Sequence, residues 1–108
     1  MEKKPPYRLQ ILPLFEADLN SIVDYISDTL HNPGAALELV DAVEKAIADR
    51  LPCAESFEPY HSMKERRYPY YRIYVKNYTI FYVVIGDTME VRRIIYSRRD
   101  LSQQIGSV

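Results

Sequence analysis

The cationic residues of this 108-residue chain gather in its C-terminal half. Arg66-Arg67, Arg72, Lys76, Arg92-Arg93 and Arg98-Arg99 stand there among most of the ten tyrosines. Guanidinium groups can stabilise phosphate charge, and aromatic rings can stack on unstacked bases. Arg66, Arg67, Arg98, Arg99 and Tyr96 are the candidate interaction or nucleic-acid contacts. Plainer uses exist for each. Arg98-Arg99 can be a solvated strand end, with Asp100 as a local ion-pair partner worth little when exposed. Tyrosines more often pack cores and rims than bind bases, and the phenol of Tyr96 would need its pKa lowered from about 10 to act as an acid. His31 and His61 are too far apart in sequence to argue a metal pair, so no metal or cofactor is implied. Cys53 is the lone cysteine, which excludes an internal disulfide, and no base motif frames it as a nucleophile.

The formal net charge of -1 hides a division. Residues 1–59 carry five Lys/Arg and eleven Asp/Glu, whereas residues 60–108 carry nine and four. One half is acidic and the other basic, which suggests a polyanionic or acidic partner on one face. The alternative is mutual neutralisation of the two halves across the fold. No apolar run approaches the roughly 18 residues that span a bilayer, and the N-terminal apolar run is too short for a signal peptide. These features point to a cytoplasmic protein with no membrane partner. The length suits one domain with one core.

The elements that must position these residues follow from periodicity. Residues 70–75, 78–85 and 89–97 are three runs rich in Ile, Val, Tyr and Phe, parted by Lys76-Asn77 and Gly86-Asp87-Thr88. They predict a meander of three antiparallel strands. Ile73 and Val75 share one face of the first, with Arg72, Tyr74 and Lys76 on the other. The second is apolar at nearly every position, as a central strand covered on both sides would be. In the third, Met89, Val91, Arg93 and Ile95 alternate against Glu90, Arg92, Ile94 and Tyr96. Residues 7–12 alternate as a short strand with Tyr7, Leu9 and Ile11 buried, ended by Pro13.

From Leu14 to Leu30 the period becomes helical, with Phe15, Leu19, Ile22, Val23, Ile26 and Leu30 on one stripe. Asn32 is placed to cap, and Pro33 to start, a second helix running to about Leu51 with the stripe Ala36, Leu39, Val40, Val43, Ala46, Ile47 and Leu51. Neither helix can bury its stripe alone, so the αα-hairpin should pack on the sheet. The fold class is α+β: an N-terminal strand, an αα-hairpin and a three-stranded antiparallel meander, with the helices on one face. The other face should be concave and open to a ligand. Residues 1–6 and 102–108 read as tails around a single domain at 7–101.

Three stretches in this order carry a resemblance over residues 7–101. They are Tyr7-Arg8-Leu9 followed by Ala17, Asp18-Leu19, Ile22 and Tyr25-Ile26; Tyr71-Arg72-Ile73 followed by Tyr78-Thr79-Ile80-Phe81-Tyr82-Val83; and Ile94-Ile95-Tyr96-Ser97-Arg98-Arg99-Asp100. Together they resemble the RelE/ParE superfamily of bacterial type II toxin–antitoxin toxins, which includes plasmid stabilisation proteins. The resemblance implies a growth inhibitor neutralised by a cognate antitoxin, often within a toxin–antitoxin heterotetramer. RelE-like members cut messenger RNA on the ribosome; ParE-like members poison DNA gyrase and lack the nuclease residues. In a RelE-like reading Arg72 and Arg99 would be the catalytic cations. That reading meets departures: Thr79 stands where those toxins carry a second arginine, Tyr74 where they carry a second lysine, and no aromatic follows Leu101. The ParE-like reading is preferred, with a non-toxic partner-binding module as a further alternative.

Overall fold

The computed structural model describes residues 7–59 and 67–98. The expected tails at 1–6 and 102–108, and Arg66, Arg99 and Asp100, lie outside the described residues. The element order is β1 (Arg8–Ile11), α1 (Pro13–Asp24), a π-helical turn (Tyr25–Thr29), α2 (Pro33–Arg50), a short 3-10 turn (Leu51–Cys53), β2 (Tyr71–Val75), β3 (Tyr78–Ile85) and β4 (Thr88–Tyr96). The four strands form one mixed sheet in the order β1-β4-β3-β2. The meander β2-β3-β4 is antiparallel, and β1 lies parallel to β4. The α+β class, the αα-hairpin and the three-stranded meander stand as the periodicity predicted.

Turn chemistry sets the meander. Val75 pairs with Tyr78 around Lys76-Asn77, and Lys76 takes a φ of 53°. Ile85 pairs with Thr88 around Gly86-Asp87, where Gly86 takes a φ of 63°. Glycine adopts that left-handed conformation without the penalty of a Cβ, which suits the two-residue turn of the β3-β4 ribbon. At the helical link, Asn32 Oδ1 accepts from the Ala35 backbone N–H at 3.1 Å and Pro33 opens α2. This is the capping geometry that a short polar side chain provides.

The main core lies between the hairpin and one face of the sheet. Phe15 of α1 and Leu39, Val43 and Ile47 of α2 meet Ile80, Tyr82, Met89, Val91 and Ile94. Burying each such side chain contributes roughly 1.5–3 kcal/mol before the entropy of ordering is counted. A second cluster, Tyr70, Phe81, Val83 and Ile95, lies apart from it, with Tyr68 and Ile85 packed on it. Phe81 and Val83 are completely buried. The expected open concave face is therefore closed at its centre.

Three further expectations are corrected. Leu9 is 44% exposed, because β1 is an edge strand and only Tyr7 and Ile11 near its ends turn inward. The single helix from 13 to 30 instead ends at Asp24 and passes into the π turn. The alternation in β4 breaks at a bulge. Phe81 pairs with Arg93 and Tyr82 with Val91, which leaves Arg92 as an extra residue. Past it the faces exchange, so Ile94 joins the main core and Ile95 the second cluster.

Candidate functional site

Of the predicted site residues, the described ones are Arg67, Arg72, Tyr96 and Arg98. Arg72 is half-buried on β2, opposite Phe81, with its guanidinium 5.8 Å from the Tyr74 ring centre. Through Phe81 it is level with Arg93, five residues before Arg98 in the chain. Arg98 is exposed just beyond β4, and Arg67 is exposed with its guanidinium 5.5 Å from the Tyr68 ring centre. Tyr96 is 37% exposed and packs edge-on against Tyr78. Thr79 is completely buried, and its hydroxyl shares a 2.7 Å hydrogen bond with Ser97. Tyr74 is 65% exposed on the edge strand.

Two arginine centres that periodicity did not single out are the organised ones. Arg93, freed by the bulge, turns to α1. Its Nε and Nη2 donate to the two Asp18 carboxylate oxygens at 2.7 and 3.0 Å, and the Ile94 N–H donates to the same carboxylate at 3.2 Å. Both side chains are about 15% exposed. The hydrogen bond to Asp18 holds the Arg93 pKa above its ordinary value against the opposing effect of burial. On Arg92, burial acts to lower the pKa, but its interactions with Tyr70 and Glu90 outweigh it and leave a net rise. The Arg92–Glu90 contact is 2.9 Å.

Arg50, at the end of α2, clasps the following loop to the sheet. Its Nη1 donates to the Arg72 carbonyl at 3.1 Å and to the Tyr82 hydroxyl at 2.9 Å. Its guanidinium lies 3.5 Å over the Phe57 ring. Tyr82 in turn donates to the Ala54 carbonyl at 2.6 Å. Nothing in the spacing of Arg50, Phe57 and Tyr82 announces this contact, which depends on where the loop returns.

A groove of about 750 Å³ lies between the α1–π-turn wall and the ends of β3 and β4. Asp18 and Arg93 line it together with Ile22, Tyr25, Leu30, Tyr78 and Tyr96. Burial, then the neighbouring Tyr96 and Tyr25, raise the pKa of Tyr78, so its phenol is neutral near neutral pH. The groove thus mixes aromatic and aliphatic side chains with the polar Ser21 and Asn77, and its charged pair is internally satisfied. Among the described residues, no group of three or more His, Cys, Asp or Glu side chains is placed to hold a metal ion, and no helix is long and apolar enough to cross a membrane.

Comparison with known proteins matches this architecture. A solved structure described as the chromosomal ParDE toxin–antitoxin system from P. aeruginosa superposes with a TM-score of 0.68. It is 18% identical, with 83% of this chain and 95% of that chain covered, a likeness of fold. No curated protein matches the sequence. The family model for the ParE toxin of the type II toxin–antitoxin system parDE matches residues 9–101. With nearly the whole strand–hairpin–meander unit inside that match, the chain belongs to the ParE toxin family of the RelE/ParE superfamily.

Proposed function

We propose that this toxin arrests bacterial growth by poisoning DNA gyrase and is held silent by a cognate antitoxin, in a toxin–antitoxin heterotetramer in the cytoplasm. The observation that carries the gyrase reading is the match of the ParE toxin family model over residues 9–101. Cutting RNA through its 2′-hydroxyl needs a base, a charged group on the pentacovalent phosphate and an acid for the leaving oxygen, all within hydrogen-bond reach. Arg72 lies on β2, level through Phe81 with Arg93 of β4. A buried Thr79 bonded to Ser97 occupies the position where the RelE-like reading needs an arginine. Arg67, Tyr96 and Arg98 are exposed, and with Arg66 and Arg99 adjacent in the sequence they suit contact with a large partner.

The test is direct. The purified chain should inhibit supercoiling by gyrase, and messenger RNA from cells expressing it should show no cuts at codon boundaries. Codon-boundary cleavage with gyrase unaffected would overturn the gyrase reading in favour of a ribosome-dependent nuclease. Adding the antitoxin encoded beside this chain should restore supercoiling.

A further inference from the structure

The groove beside the Asp18–Arg93 pair holds a cluster of aromatic rings to which the toxin reading gives no task. Tyr25 stands on its helical wall, and Tyr78 and Tyr96 stand on its strand wall. Tyr25 is 54% exposed and Tyr96 is 37% exposed, so both are open to solvent. Tyr25 is the first residue of the π turn, and its carbonyl accepts from the Leu30 N–H, five residues on, at 3.0 Å. Such turns occur frequently at functional sites. The Tyr78 and Tyr96 rings meet edge-on at 62°, with centroids 5.7 Å apart. After burial, Tyr96 and then Tyr25 raise the pKa of Tyr78, so both of those phenols lie within electrostatic reach of the third.

The shape and the charge of this cluster restrict the ligand. Two rings at 62° form a corner and not a parallel slot, and a corner fits a compact group better than a flat base. The face of an aromatic ring carries the negative part of its quadrupole. Asp18 and Arg93 are the charged residues of the lining, and they neutralise each other at 2.7 Å. The ring faces therefore set the sign of the potential at the corner, which attracts a cation and repels an anion. A primary ammonium is strongly hydrated and resists transfer to such a site, whereas a quaternary ammonium has no N–H to leave unbonded. We propose that Tyr25, Tyr78 and Tyr96 form an aromatic cage for the quaternary ammonium group of a small solute of choline type. The rest of the groove, with Ser21 and Asn77 in its lining, takes the remainder of the molecule. Its volume of about 750 Å³ lies within the range of small-molecule sites. The cage stands on the groove alone and is independent of the gyrase and antitoxin readings.

Calorimetric titration of the full chain with choline tests this, beside choline's neutral tert-butyl analogue, in which carbon replaces the nitrogen. The analogue keeps the shape and loses the charge, so choline should bind at least about tenfold more tightly. Tyr25→Phe keeps a ring face and should retain binding. Tyr25→Leu and Tyr96→Leu change exposed side chains, so the fold should be kept, and each should weaken binding about fivefold. Tyr74→Leu, at an exposed β2 position outside the groove lining, should leave affinity unchanged. Bound choline should also bring tyrosinate absorbance up at lower pH, because a cation beside a phenol favours its ionised form. Equal affinity for choline and its analogue, or unchanged affinity in both leucine variants, would overturn the cage. So would the absence of choline binding at millimolar concentration. Binding to phosphatidylcholine vesicles without binding of free choline would overturn the small-solute ligand in favour of a lipid surface.

Discussion

Replacing Asp18 with Ala removes the carboxylate that bonds α1 to the bulged part of β4. Three donors lose their acceptor: Arg93 Nε, Arg93 Nη2 and the Ile94 N–H, now at 2.7, 3.0 and 3.2 Å. The guanidinium left behind is only 14% exposed, so water solvates it poorly. Removing one partner of a buried ion pair costs about 3–5 kcal/mol, and partial access of water at this rim brings the expected loss to about 3 kcal/mol. For a domain of this size that lowers the melting temperature by about 10–15 °C. Urea denaturation and thermal melting of Asp18→Ala, Arg93→Ala and the double variant measure it. The coupling energy should be about 2 kcal/mol, since the second deletion removes a charge already orphaned by the first. Replacing both with Leu should recover much of the loss, because an apolar pair avoids desolvating two charges. A cost below about 1 kcal/mol for Asp18→Ala, or a coupling near zero, would refute the clamp as a structural centre.

The other predictions concern the clasp, the phenols and the cap. Arg50→Ala should destabilise the fold by about 2–3 kcal/mol through loss of the bonds to Tyr82 and Arg72 and the stacking on Phe57, and Arg50→Lys should restore little of it, as chemical denaturation would show. Tyr82, Tyr71 and Tyr78 all have pKa values raised above 10.0, each chiefly by burial, so the folded state favours the neutral phenol. Their contribution is fully present below about pH 10 and is lost as the pH rises through the higher folded-state values. Denaturation midpoints should thus be flat on the neutral side and fall above about pH 10, with tyrosinate absorbance rising in step. Asn32→Ala removes the acceptor for the Ala35 N–H and should cost about 1 kcal/mol in a thermal melt.

Much of this fold could be read from residue order because its signals are local. The strands were expected at 70–75, 78–85 and 89–97 and run Tyr71–Val75, Tyr78–Ile85 and Thr88–Tyr96. The cap at Asn32 and the stripe of α2 through Leu39, Val43 and Ile47 are equally local, fixed by side-chain type and helical period. The features missed depend on distant chain. The extra residue Arg92 sits beside another arginine, so the apolar pattern gives no sign that the faces of β4 exchange. Asp18 and Arg93 lie 75 residues apart and meet only because the bulge redirects one toward the other. The π turn hides inside a periodic stripe in which Ile26 and Leu30 keep helical spacing while the hydrogen bonds do not. On the function side, the family was legible from the order of its stretches, whereas of the catalytic candidates only Arg72 lies among the described residues, on β2 opposite Phe81.

The most direct measurement is growth of bacteria expressing this chain with and without a cognate antitoxin. The chain alone should arrest growth, and co-expression of the antitoxin should restore it. Unimpeded growth with folded protein present would contradict the assignment as an active toxin.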